Sequence, residues 1–205
     1  QLASRLLASE ALVEGTKLRS GDLTDGEWSR LVEAGDILRR ANLYFDDTPG
    51  LTVPEMKGKL RRLDYVDLVV VDYLQLMTGT RKTDNRVNEI SEITRNLKVM
   101  AKELNVPVIA LSQLRRATDR TKDRRPGLSE LRDSGSIEQD ADIVIFLHRP
   151  YYNITSEGGE ITEDVDRNAA TIMVAKNRHG EVEDIDVHWQ GEYMRFTSLE
   201  HIRHE

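Results

Sequence analysis

Asp72 closes the apolar run Leu68-Val69-Val70-Val71. In an open α/β sheet, ligands bind beyond the carboxyl ends of the strands. A carboxylate there can hold Mg2+, usually through water, while the metal grips nucleotide phosphates. Four apolar residues and an aspartate also describe an ordinary solvated strand end, so Asp72 alone decides nothing. A second apolar run, residues 106–111, ends in Ser112 and Gln113. A neutral amide in that place can hydrogen-bond a γ-phosphate or an attacking water, and so report hydrolysis. Two strands that both end in phosphate-competent side chains favour a nucleotide site over two solvated ends.

Positive charge has one conspicuous address. Residues 114–132 carry Arg115, Arg116, Arg120, Lys122, Arg124, Arg125 and Arg132 against Asp119, Asp123 and Glu130, in a chain of net charge −7. A basic loop in an acidic protein suits a polyanion's backbone, with counterion release making affinity salt-dependent. The segment contains no aromatic residue, so base stacking is not the expected mode. Contact with backbone rather than bases fits a protein that must act on any sequence. Gly135 lets backbone N–H groups approach a phosphate closely. Lys176 and Arg178 form the fourth group. Alternation along a strand puts both on one face, and an arginine there can offer a bidentate fork to a phosphoryl group. Their spacing alone is equally that of an outward-facing strand.

The rest of the composition excludes more than it assigns. The 205 residues suit one domain; 39% are hydrophobic and 32% charged, as in a globular chain. There is no cysteine, hence no disulfide scaffold and no thiolate metal site, and a cytoplasmic home is permitted. Residues 1–15 lack the pattern of a secretory signal, and no apolar run reaches the ~20 residues of a membrane helix. The five histidines show no metal-ligand spacing; His201 and His204 fall near an expected frayed end. The acidic segment 157–166 reads as solvated loop, and Trp28 and Trp189 read as structural.

The elements that position these groups alternate between helical periodicity and short β-branched runs, which predicts α/β architecture with a mainly parallel sheet. Helices are expected over 1–12 (with Leu2, Leu6 and Leu7 on one face), from the capping-box spacing Thr24-x-x-Glu27 to about Arg40, and from a Thr52 cap with Pro54 in the first turn to about Leu63. Val87, Ile90, Ile93, Leu97, Met100 and Leu104 recur at threes and fours and predict an amphipathic helix. Strands are expected at 43–45, 68–71, 106–111 and 143–147. The middle pair and the last are continuous apolar runs of the kind buried on both faces. A polar loop is expected at 78–85, a polar, punctuated stretch at 114–135 and an acidic loop at 149–168. A hairpin of 171–175 with 185–189 around His179-Gly180 and a last strand at 194–197 complete the reading.

Three segments then carry a resemblance. VDYLQLM at 71–77, KELNVPVIALSQL at 102–114 and LRDSGSIEQDAD at 131–142 closely resemble the bacterial DnaB replicative helicases, in the same order and over nearly the whole chain. The resemblance implies a RecA-like motor domain with a C-terminal antiparallel hairpin, spanning 1–205 as part of one domain. It implies an ATP- and Mg2+-dependent helicase that forms a homo-hexamer, moves on single-stranded DNA at the replication fork, and works with a primase and a helicase loader. Site by site, Asp72 matches the Mg2+-coordinating aspartate. Gln113 matches the glutamine that couples γ-phosphate state to the DNA loops. Arg132, Asp133 and Gly135 match the loop that contacts the single strand, with Arg115 and Arg116 in the basic approach to it. Asp133 stands where many relatives have glutamate, keeping the charge with a shorter reach. Lys176 and Arg178 match a lysine and an arginine finger offered to the neighbouring subunit's nucleotide. His179-Gly180-Glu181 keeps the family's glycine and departs on either side of it.

One part is missing from these 205 residues: no G-x-x-x-x-G-K-[S/T] occurs. The resemblance places that phosphate loop, a catalytic glutamate and a primase-binding domain upstream of the position matching Gln1. The central strand of the sheet is therefore expected elsewhere, leaving apolar faces and edges exposed, and the chain alone is expected not to hydrolyse ATP. Two other readings stay open: a RecA-like ATPase of another DNA process, and a non-catalytic module for DNA binding or assembly.

Overall fold

The computed structural model describes residues 2–81, 83, 85–114, 125–156 and 165–199, with the backbone alone at 132–135, 153 and 156. In chain order the elements are α1 (Leu2–Ala11), α2 (Gly15–Ser20), α3 (Asp25–Arg40), α4 (Val53–Leu60), β1 (Val69–Val71), α5 (Arg86–Leu104), β2 (Val108–Ala110), α6 (Gly135–Asp140), β3 (Ile143–His148), α7 (Pro150–Ser156), β4 (Ala169–Asn177), β5 (Asp184–Gln190) and β6 (Arg195–Ser198). Two compact units result. One comprises residues 1–46, 147–172 and 184–205, the other 47–146 and 173–183.

In the first unit, α1 to α3 close over Ala11, Val13, Leu31 and Ala34, with Leu7, Leu18 and Leu23 against them. The buried residues of α1 are Ala8 and Ala11, and Leu2 stays exposed: the small side chains, not the leucines, allow close approach. Helix α3 begins where its capping box predicts. Thr24 Oγ1 accepts from the Glu27 N–H at 3.3 Å, and Glu27 Oε2 accepts from the Thr24 N–H at 2.9 Å. The Thr24 N–H, with help from Lys17 at 2.9 Å, pulls the Glu27 carboxyl down to about 2. Strands β5 and β6 pair antiparallel, Val187 opposite Ser198 and Gln190 opposite Arg195. Trp189 stacks on Phe196 with centroids 4.6 Å apart, and the Arg149 guanidinium lies 4.4 Å over its ring. Trp28, by contrast, is exposed. Residues 150–156 form α7 where a loop was expected. Proline at its first position has no N–H to forfeit.

The second unit is built on a β1–α5–β2 crossover. Strands β1 and β2 are parallel, Val69 opposite Val108 and Val71 opposite Ala110. Helix α5 lays Ile90, Ile93, Leu97 and Met100 onto Val71, Leu74, Met77 and Val53 of α4. Asn85 caps its start, and Asn105, at φ 52°, ends it in the left-handed region. Thr52 heads α4 with a second capping box and a proline in the first turn. A second cluster gathers Leu131, Val144 and Phe146, with Leu128, Ile137, Met173 and Ala175.

The sheets correct the expectation of strands buried on both faces. The described strands form a parallel pair, β1–β2, and a separate four-stranded sheet in the order β3–β4–β5–β6. Val70 and Ile109 are 56% and 53% exposed, and β3 alternates, with Ile143, Ile145 and Leu147 outward and Val144, Phe146 and His148 inward. Only one face of each run finds a cover among the described residues, so continuous apolar runs that read as two-sided strands are one-sided here. Residues 43–45 form no strand; Leu43, Tyr44 and Phe45 are exposed, and no strand among the described residues pairs with them. The 171–175 and 185–189 runs do become neighbouring strands, but the turn between them is long, spanning 178–183, with Val174 N–H donating to Glu183 O at 2.8 Å.

Candidate functional site

Parallel register brings the two polar strand ends together. The Leu111 N–H donates to Val71 O and the Leu74 N–H to Leu111 O, both at 2.9 Å. Asp72 therefore emerges level with Leu111, one residue before Ser112. Asp72, Tyr73, Leu111, Ser112 and Gln113 line one concavity of about 340 Å3. The Asp72–Tyr73 peptide is cis. The Asp72 carboxylate is exposed and makes no ion pair or hydrogen bond with any described residue. An unengaged hard-oxygen ligand at the mouth of a cleft fits a water-bridged Mg2+. The cleft's lining includes no lysine, so the charge that would cradle phosphates is not supplied by these residues.

Gln75 was not singled out by its sequence, yet it joins the two strand ends. Its Nε2 donates to Ser112 Oγ at 3.1 Å and to Gln113 O at 3.3 Å, and its Oε1 accepts from the Gln113 N–H at 3.3 Å. The carboxamide thus fixes the backbone from which the Gln113 side chain leaves. The only sequence signal was a polar residue between Leu74 and Leu76, one turn past the aspartate.

Lys176 and Arg178 lie at the end of β4 and turn to the same place, as alternation predicts. Lys176 Nζ donates to Ala141 O at 2.9 Å and to Glu138 O. Arg178 Nη2 donates to Gln139 O, and its backbone N–H donates to Asp142 O at 3.0 Å. These carbonyls belong to α6 and the residues just past it, the groups a helix leaves without intrahelical donors and where cations are favoured.

Arg132, Asp133 and Gly135 fall at the other end of that helix. A 3-10 turn spans Leu128–Ser134, and Gly135 opens α6; their side chains are not described. Arg115 and Arg116 lie outside the described residues. Gly135 opens α6 and Glu138, the first carbonyl that holds Lys176, lies three residues further on, about 4.5 Å of rise. Among the described residues no group of three or more His, Cys, Asp or Glu could hold a metal. No described helix is long and apolar enough to cross a membrane.

The chain is 44% identical over 205 residues to the replicative DNA helicase DnaC of Bacillus subtilis (strain 168), and 45% identical over 205 residues to the replicative DNA helicase DnaB of Geobacillus stearothermophilus. In each case 98% of this chain is matched, and it spans 43% of the relative's length. It superposes on a solved DnaB-like replicative helicase, studied with its primase interactions, with a TM-score of 0.83 at 34% identity, covering 96% of this chain and 48% of that one. The model of the DnaB-like helicase C-terminal domain matches residues 1–198, and the chain belongs to that family.

Proposed function

We propose that these residues are the larger part of a RecA-like motor domain, both compact units included, in an ATP- and Mg2+-dependent replicative DNA helicase. The observation that carries this reading is the cleft in which an unengaged Asp72 and Gln113 meet at the carboxyl ends of two parallel strands, in a chain of this family. Asp72 holds the metal through water, and Gln113 senses the γ-phosphate. Arg132, Asp133 and Gly135, with Arg115 and Arg116 beside them, contact the backbone of single-stranded DNA. Lys176 and Arg178 serve the nucleotide of a neighbouring subunit in a homo-hexameric ring. The ring translocates on single-stranded DNA in the cytoplasm and engages a primase and a loader. The exposed apolar faces of β1–β2 and β3 are covered, in the complete protein, by strands that also bring the phosphate loop. One observation favours a second reading, a DNA-binding or assembly module without catalysis: the described cleft has no lysine for phosphates.

The DNA assignment is tested on the full-length protein by Arg132→Ala. Single-strand affinity should fall alike for all sequences, with the salt dependence of binding shallower by about one. Unchanged affinity and slope, read by fluorescence anisotropy over a salt series, would remove Arg132 from the DNA contact.

A further inference from the structure

Arg178 is contacted twice by Asp142. Asp142 follows α6 and precedes β3. Its carbonyl accepts from the Arg178 backbone N–H at 3.0 Å, and its carboxylate Oδ1 stands 3.9 Å from Arg178 Nε. Backbone and side chain of one residue therefore grip both the root and the neck of the arginine. Nη2 is taken by Gln139 O, and Nη1 makes no hydrogen bond among the described residues. One edge of the guanidinium is held and the other is left for an incoming anion.

The grip has its own foundation. Lys98 of α5 pairs with the other carboxylate oxygen of Asp142. Four residues earlier on the same helix face, Thr94 Oγ1 donates to Asp140 Oδ2 at 2.7 Å. Helix α5 is the most deeply packed helix of the second unit, with Ile90, Ile93, Leu97 and Met100 in its core. The lysine's hydrogen bond holds the Asp142 carboxyl below the usual carboxylate range. The chain of contacts runs from a core helix, through Lys98, to Asp142 and then to Arg178.

We propose that Asp142, clamped by Lys98, is a positioning residue that presents the Arg178 guanidinium to a phosphoryl group bound by the adjoining subunit. An arginine side chain on a strand end samples many rotamers, and a displacement of about 1 Å can cost a transferring group about a hundredfold in rate. A carboxylate fixed from α5 removes that freedom without itself touching the nucleotide. The proposal rests on the reading of Arg178 as a finger in trans.

The test uses the full-length, ring-forming protein and steady-state ATP hydrolysis with saturating single-stranded DNA. Arg178→Ala should lower kcat by roughly 10³-fold. Asp142→Asn and, independently, Lys98→Met should each lower kcat by about tenfold at unchanged KM for ATP, since they misplace the group rather than weaken nucleotide binding. The double variant Asp142→Asn with Arg178→Ala should be no slower than Arg178→Ala alone, because Asp142 acts only through the arginine. Additive losses would show a merely structural role and overturn the proposal. So would a kcat unchanged or raised in both Asp142→Asn and Lys98→Met while Arg178→Ala is slow; a raised value would mean that the carboxylate withholds the arginine. An Arg178→Ala protein as fast as wild type would instead remove the finger reading, and this proposal with it.

Discussion

Two strand ends in the same unit are finished in opposite ways. At the ends of β1 and β2, the Asp72 carboxylate is left without any described partner, at the mouth of an open cleft. At the end of β4, Lys176 and Arg178 are both engaged, on the carbonyls of Glu138, Gln139 and Ala141 and on Asp142. The difference separates two design problems. A group that must bind a mobile ligand gains by having no internal competitor, since each protein contact would have to be broken first. A group that must arrive in the right place gains by being held, since orientation is what it contributes. The first kind of residue should matter to chemistry and not to folding; the second should matter to both.

The largest effect expected from that contrast is at the free end. In the full-length protein, Asp72→Ala should lower ATP turnover by about a thousandfold, the several kcal/mol that a correctly placed metal supplies. Its melting curve should stay within ~0.5 kcal/mol of wild type, as for an exposed residue without partners. Residues 1–205 alone, lacking a phosphate loop, should show no turnover; hydrolysis at full-length levels, lost in Asp72→Ala, would overturn that. At the held end the effect moves to stability. Lys176→Met keeps the stem and removes the ammonium that satisfies two carbonyls at the end of α6, and should cost about 1–3 kcal/mol. Urea unfolding followed by circular dichroism reads this directly. A Lys176→Met protein as stable as wild type would erase the contrast, for then neither strand end would contribute to the fold.

Legibility in the sequence follows the same division. What is local was readable. Thr24 and Glu27, and Thr52 with Pro54, specify helix starts through contacts three residues apart, and both capping boxes formed. The period of Ile90, Ile93, Leu97 and Met100 fixed the buried face of α5. Asp72 and Gln113 were found because each stands at the end of an apolar run, and parallel pairing then put them in one cleft. What depends on cover from elsewhere was not readable. Runs 68–71 and 143–147 have the composition of two-sided strands, yet Val70 and Ile145 are exposed, because composition records what a strand is able to bury and not what lies against it. Residues 43–45 have strand composition and no partner strand among the described residues. Helix α7 was hidden by the acidic residues that follow it. Gln75 and Asp142 were missed for a different reason: each works through hydrogen bonds to residues some 36 to 44 positions away, and a single polar letter in a sequence does not announce a distant partner. The roles of Lys176 and Arg178 came from resemblance; their spacing alone gave a strand face.

Gln75 offers the finest discrimination, because it sits at the free end but is itself fully engaged. If the contrast is drawn by residue, Gln75 should behave like Lys176; if by location, like Asp72. Its three hydrogen bonds, between 3.1 and 3.3 Å, tie the turn after β1 to the Ser112 hydroxyl and the Gln113 backbone. They reach mostly exposed groups, for which water is a ready substitute, so the stability lost in Gln75→Leu should be small, within about 1 kcal/mol. The lost tether, however, frees the segment from which Gln113 must meet the γ-phosphate. The expected outcome is a threefold to tenfold fall in kcat, about 1 kcal/mol of orientation, with KM for ATP unchanged because Gln75 itself contacts no phosphate. A larger loss of stability than of kcat, measured on the same preparation, would class Gln75 with the held end and show that engagement, not location, decides how a residue here is used.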